Sequence, residues 1–334
     1  MSEQQRSNHE FGLPSHLQKA DSDTRRVGFE LEFSGINLQQ TVAAIQNTID
    51  VEVVSQTEAE IKLHSEEFGD FNIEIDWSYL KSKAAQESGP NQDRTWVELL
   101  SRVAPLLVPI EVVCPPIPMD RLDTLLPMVD ALRDAGAIGT EESFISAYGV
   151  HVNVELPDLE AATLCRYLRA YALLQWWLVD MHHIDIARRI SPYIDLFSKD
   201  YLKQVLAHPN ADMDQIFDDY LQHNPSRNRG LDLLPLLASI DETRVRNVID
   251  DPRIKARPAF HYRLPDCRIE HSEWSLSVPW NSWLVVENLA ANEQWLEELS
   301  DEFLSIERQR VLLDVSRTDW VGYIDQWLKD HALA

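Results

Sequence analysis

The stretch Arg26-Val27-Gly28-Phe29-Glu30-Leu31-Glu32-Phe33 decides how the chain is read. Side chains alternate along a strand, so Phe29, Leu31 and Phe33 share one face while Glu30 and Glu32 share the other. Asn72-Ile73-Glu74-Ile75-Asp76 repeats the pattern, and Tyr148-Gly149-Val150-His151-Val152-Asn153-Val154-Glu155 repeats it again, setting His151, Asn153 and Glu155 opposite valines. Arg268-Ile269-Glu270 supplies a further instance. Any antiparallel sheet with one wet face alternates in this way. The residue types are what set these strands apart, because carboxylates, an imidazole and an amide are ligands for divalent cations. Two like charges at i and i+2 repel, and a bound cation relieves that repulsion. Glu30 with Glu32 is therefore expected to form one wall of a metal site.

Working outward, residues 26–34, 60–64, 71–77, 110–114 and 148–156 are expected to be strands, and 95–107 and 119–134 helices. From 159 to 181 apolar residues recur at spacings of three and four, which predicts a long helix, with shorter helices following to about 250. A second β segment is expected over 259–270, then helices near 280–291, 295–313 and 320–333. Residues 1–24 hold few apolar side chains and are expected to form a loose tail. The expected fold class is α+β: one catalytic domain over 25–334 with an antiparallel sheet, packed helices, a helical insertion at 157–250 beside the sheet as part of the substrate-binding wall, and C-terminal helices over 280–334.

With 334 residues, 44% hydrophobic and 25% charged, the composition is that of an ordinary globular chain. Fifty-five acidic against 30 basic residues give a net charge of −25, which repels phosphate backbones and argues against a nucleic-acid partner. Cys114, Cys165 and Cys267 are odd in number and far apart, which fits neither a disulfide framework nor a cysteine metal site and suggests a reducing cytoplasm. No apolar run has the length of a signal or membrane segment, so no membrane partner is expected. His182-His183, the acidic run Asp212, Asp214, Asp218 and Asp219, and the many tryptophans have plainer readings as a helix end, a solvated helix face and core anchors.

Taken in order, Arg26–Phe33, Asp76-Trp77-Ser78, Glu111-Val112-Val113-Cys114-Pro115-Pro116, Gly149-Val150-His151-Val152-Asn153 and Arg268-Ile269-Glu270 resemble the putative amidoligase family. The resemblance implies a glutamine-synthetase-like sheet whose concave face holds ATP and Mg²⁺, or Mn²⁺. It also implies an activity: ATP phosphorylates a substrate carboxylate and an amine displaces the phosphate, giving an amide. On that basis Glu30, Glu32, Glu111, His151 and Glu270 are the expected metal ligands, and Glu30, Asp76 and Arg268 the expected catalytic residues. Asn153 and Arg268 would face the nucleotide, with Arg188, Arg189, Arg257 and Arg263 as further candidates to clamp phosphate or substrate carboxylate. The substrates would be a small-molecule or peptide carboxylate and an amine, while the oligomeric state is left open. Cys114 and Asn153 stand where the family commonly has Ser and His, and the run from Glu270 to Trp274 lacks the further Arg that often follows the Glu. A metal-dependent hydrolase and a silent binding protein are the alternatives on the same face.

Overall fold

The computed structural model describes residues 10–75, 109–140, 148–182, 194–309 and 317–333. Within them, nine strands form one antiparallel sheet. Strand β1 (Arg26–Phe33) lies at its centre, flanked by β5 (Ile110–Val113) and β7 (Val150–Glu155). Outward from β5 come β4 (Gly69–Ile75), β3 (Glu60–Ser65) and β2 (Glu52–Gln56); outward from β7 come β9 (Ala259–Tyr262) and β8 (Leu231–Asp232). The short β6 (Ile117–Pro118) pairs with the start of β1. The α+β expectation holds.

One face of this sheet is dry. Phe29, Leu31 and Phe33 of β1, Ile73, Val112, Val152 and Phe260 are all fully buried there. Helices α1 (Leu38–Gln46) and α2 (Leu126–Asp134) pack together at one end of the sheet. At the other end lies the long α3 (Ala161–Met181), whose Tyr167 ring sits 5.4 Å from that of Phe260 and whose Tyr171 ring sits 6.4 Å from that of Tyr262. Around α3 gather α4 (Lys199–Ala207), α5 (Met213–His223), α8 (Ser277–Ala290), α9 (Glu293–Gln309) and α10 (Arg317–Asp330). Between α5 and α8 in the chain come α6 (Leu234–Ile240) and α7 (Glu242–Arg246). Trp280, Trp283 and Trp320 are buried as core anchors. The acidic run on α5 caps and solvates: Asp212 accepts from the Gln215 N–H, and Asp214 and Asp218 both meet Arg244.

Several expectations need correction. The helix expected over 119–134 is split into a 3₁₀ stretch, Met119–Leu125, followed by α2, because Pro127 lacks the N–H and its ring would strike the carbonyl of Asp123. Strand β2 was not foreseen: all its residues are exposed, and an irregularity between Val53 and Ser55 breaks its alternation. Arg268-Ile269-Glu270 is not a strand but a loop entering a turn, although Ile269 is fully buried. Arg133 holds that turn by donating to the carbonyls of Ile269 and Trp274, each at 2.8 Å. Within the insertion the long α3 packs against the domain, as its apolar length predicts, and does so on the dry face of the sheet. The helix expected over 95–107 lies outside the described residues.

Residues 10–24 are also tied down. Trp280 Nε1 donates to the Gly12 carbonyl at 2.7 Å, Asn281 binds Gly12 and Glu10, and the Arg25 N–H reaches the Leu17 carbonyl at 2.9 Å. Polar side chains of α8 satisfy this backbone, an attachment that a count of apolar residues misses.

Arg25, fully buried, joins the parts. Its guanidinium meets the Glu287 carboxylate of α8 at 2.7 and 3.0 Å and also donates to the carbonyls of Glu155 and His16. Glu287 accepts from Tyr167 at 2.6 Å and Trp283 at 2.9 Å, so every oxygen of the pair is used. Breaking such a pair leaves a bare charge in the core. Glu287→Gln is expected to lower stability by about 3–5 kcal/mol, read as a fall in the urea midpoint, whereas Glu293→Gln on the exposed side of α9 should leave it unmoved.

Candidate metal and anion site

Antiparallel register dictates which polar side chains become neighbours on the wet face, since directly opposed residues point the same way. One row runs Glu60, Glu74, Glu111, Glu32 across β3, β4, β5 and β1. The next sets Glu30 opposite His151, and a third runs Gly28, Asn153, His261, Asp232 across β1, β7, β9 and β8. Strands that repel one another through adjacent carboxylates lose stability, so such a row fits a surface that is neutralised by cations.

Three ligand atoms converge at its centre. A carboxylate oxygen from Glu30, one from Glu111 and a ring nitrogen of His151 all lie within 4.8 Å of one another. His151 Nδ1 is 2.6 Å from Glu30 Oε2, Asn153 Nδ2 donates to Glu30 Oε1 at 2.7 Å, and His151 Nε2 stands 3.9 Å from Glu32 Oε1. The other Glu32 oxygen accepts the Gly149 N–H at 2.8 Å, which fixes its direction. Two carboxylates and an imidazole suit a hard or borderline divalent ion such as Mg²⁺ or Mn²⁺. Asn153 Oδ1 is buried with no hydrogen-bond partner among the described residues, which leaves an acceptor for an ion's water or a ligand.

Electrostatics agree with the geometry. Burial alone would raise the Glu30 carboxyl, but the hydrogen bond and charge of His151, with Arg263 farther off, hold it well below the usual carboxylate range. It stays ionised and ready for a cation. Burial, followed by the charge of Arg263, pushes His261 down to about 3, so this imidazole is neutral at neutral pH. Cys114 is pushed upward by burial and by Glu30, which makes it a packing thiol and no nucleophile.

Of the expected ligands, the structure brings together Glu30, Glu32, Glu111 and His151, with Asn153 beside them. Glu270 is not one of the converging three; its Oε2 accepts the Gly139 N–H at 3.1 Å. A Cβ at Gly139 would lie 2.4 Å from that oxygen and 2.3 Å from the Cys267 carbonyl, so the turn docks only against a glycine. Arg263 enters at the end of β9 and donates to Asp232 Oδ2 at 3.2 Å. Arg257 is exposed just before β9, and Arg268 lies in the loop that leads to the docked turn. Asp76, Arg188 and Arg189 lie outside the described residues. His261 and Asp232 join the face although they were not foreseen, and Glu74, expected on its polar strand face, stands opposite Glu111. The signal for His261 was present, since His261 and Arg263 alternate with Phe260 and Tyr262.

A family model described as "putative amidoligase enzyme" matches residues 23–285. The chain belongs to this family. The match takes in every strand of the amidoligase sheet, from β1 to β9, and the description is that of a ligase-type enzyme. No curated protein and no solved structure matches the amidoligase chain. No helix among its described residues is long and apolar enough to cross a membrane.

Two outcomes follow. Glu111→Gln removes one donor and one of three adjacent charges, so Mn²⁺ affinity, read by water-proton relaxation, should fall about tenfold or more. His261 is depressed in the fold relative to its ordinary value of 6.5, so its contribution is fully present above pH 6.5 and is lost as pH falls toward 3. Over that window wild-type stability should decline by up to about 1.4 kcal/mol per pH unit through this residue, and urea midpoints of His261→Gln should show a correspondingly flatter acid limb.

Proposed function

We propose that the chain is an ATP-dependent carboxylate–amine ligase that forms an amide or peptide-like bond through an acyl phosphate. The observation that carries this reading is the convergence of Glu30, Glu111 and His151 within 4.8 Å on a sheet face of amidoligase type. Phosphoryl transfer is mainly a matter of positioning and charge neutralisation, and a face of this kind provides for both. Mg²⁺ or Mn²⁺ bound there would neutralise phosphate charge as the γ-phosphoryl group leaves ATP.

The chain's own residues have distinct tasks in this proposal. Glu30 and Glu111 offer anionic oxygens, and His151, oriented by its contact with Glu30, offers a nitrogen. Glu32, directed by the Gly149 N–H, faces the far ring nitrogen of His151 and supplies a further carboxylate for the ion or its water. Asn153 fixes one oxygen of Glu30 and leaves its own carbonyl for a ligand. At the β9 side Arg263, which donates to Asp232, would meet negative oxygens of substrate or nucleotide in this reading. The substrates are a small-molecule or peptide carboxylate and an amine.

The deciding experiment incubates the protein with ATP, Mg²⁺ and pools of acids and amines, following ADP release and searching by mass spectrometry for a product lighter than its two precursors by one water. ADP release should need the metal, the acid and the amine together. Glu30→Gln and Glu111→Gln should each slow it by about 100-fold or more while leaving the fold intact. Turnover without ATP would instead favour a hydrolase working on the same residues.

A further inference from the structure

Two neighbouring residues of the polar face present acceptors with no donor to meet them. Antiparallel register sets Asn153 of β7 directly opposite His261 of β9, and side chains so opposed stand about 4.5–5.5 Å apart at Cβ. Both are buried, at 8% and 5% exposure. Asn153 Nδ2 is turned to β1, where it donates to Glu30 Oε1 at 2.7 Å and stands 3.8 Å from the place a Cβ on Gly28 would take. The oxygen and nitrogen of a carboxamide lie on opposite sides of its carbon, so Oδ1 is the atom left for the side of β9. Buried there, it has no hydrogen-bond partner among the described residues.

His261 contributes the second acceptor. Its Nδ1 lies 3.3 Å from the carbonyl oxygen of Ala259, which can only accept, so Nδ1 carries the ring proton. That bond turns Nδ1 back on its own strand and leaves Nε2 as the outer atom of the ring. It is the one hydrogen bond His261 makes among the described residues, and it is made to a neutral group. A charged imidazole so buried would be costly, and burial with the charge of Arg263 keeps the ring neutral, which leaves a lone pair on Nε2. The pair is not a second metal site: both oxygens of Glu30 are already engaged, by Asn153 and His151, and His261 is not among the converging ligands.

We infer that Asn153 Oδ1 and His261 Nε2 form the subsite for the amine substrate, a primary amine whose two N–H bonds satisfy the two acceptors. A carboxylate or phosphate does not suit this place, since either would set acceptor against acceptor. An unmade bond at a buried polar atom is costly, so a ligand that supplies donors is favoured here over one that only fills space. Both acceptors are uncharged, and they therefore hold an amine without adding a charge that would favour its ammonium form over the free base. Because Asn153 also grips Glu30, the amine is held one side chain away from the converging ligands. Its part in turnover rests on the ligase proposal, in which the activated carboxylate lies at those ligands. Binding of the amine does not depend on that proposal.

Nitrogen NMR on the full chain, grown with ¹⁵N-labelled histidine, tests this with two probes: methoxyamine, a primary amine that is uncharged at neutral pH, and acetone, which is of similar size but has no N–H. The His261 signals are those lost in His261→Gln. Wild type should show His261 neutral with Nε2 unprotonated, and methoxyamine should shift that resonance saturably while acetone leaves it in place. Asn153→Leu should weaken the methoxyamine effect about tenfold or more. In turnover with ATP, Mg²⁺ and the acid pool, His261→Phe should raise the methoxyamine concentration needed for half-maximal ADP release by a similar factor, with the ATP requirement unchanged. His261→Gln, whose side-chain oxygen replaces the acceptor, should recover most of that loss. The wild-type titration stays decisive should the Phe or Leu variant fail to fold. A protonated Nε2, a resonance unmoved by methoxyamine or moved equally by acetone, or equal methoxyamine affinity in Asn153→Leu overturns the inference. Methoxyamine binding to a protein that releases no ADP overturns the ligase reading and leaves the amine site standing.

Discussion

The buried pair between Arg25 and Glu287 is the contact on which the arrangement turns. Arg25 immediately precedes β1, the strand that carries Glu30 and Glu32, and its guanidinium is fastened at once to α8, to the end of β7 and to the N-terminal segment. Strand β1 therefore cannot slide against its neighbours without breaking a charge contact in the core. A slip of one residue would turn every carboxylate of the strand toward the dry face. Register at Arg25 thus fixes which atoms converge 5 residues later around Glu30.

From that fixed register the polar face acquires a gradient. On the β3–β5 side it is a row of carboxylates, in the middle an imidazole and an amide temper the charge, and on the β9–β8 side guanidiniums take over. Each side has an electrostatic cost when left alone, the first from repulsion across strands and the second from half-buried arginine. A cation among the carboxylates would relieve the first of these costs. His261, buried and neutral between the two, adds no charge to either.

How much of this was legible follows from the physics of each element. Strands β1, β4, β5 and β7 could be read because each has one dry face, which imposes a period of two. Glu30, Glu32 and His151 followed as the exceptions to ordinary surface composition, and Glu111 from the order of the family motifs alone. Strand β2 could not be read, since an edge strand exposed along its whole length carries no such period. The Arg268-Ile269-Glu270 triplet was misleading: one buried Ile between two polar residues satisfies alternation in a turn as well as in a strand. Glu74 was visible on its strand, but only the register with Glu111 shows that it joins the row. Asp232 depends on tertiary contacts made by a two-residue strand, which leaves no periodic signal. The attachment of residues 10–24 was hidden for a related reason, because it relies on hydrogen bonds from α8.

The order of strands across the sheet has a temporal side. Strand β9 fills the place beside β7, yet about a hundred residues of chain separate the two in sequence. Ribosomes extend a chain at about 5–20 residues per second, so β7 emerges roughly 5–20 seconds before the strand that covers its edge. Through that interval the emerging polypeptide presents a row of open backbone donors and acceptors at what will become the middle of the sheet. Glu287 arrives later still, so Arg25 must remain hydrated until nearly the whole chain has been made. Synthesis thus passes through a stage at which the carboxylate strands exist without their arginine border, and slowing translation across the helical segment would lengthen the time for which that edge can capture another chain.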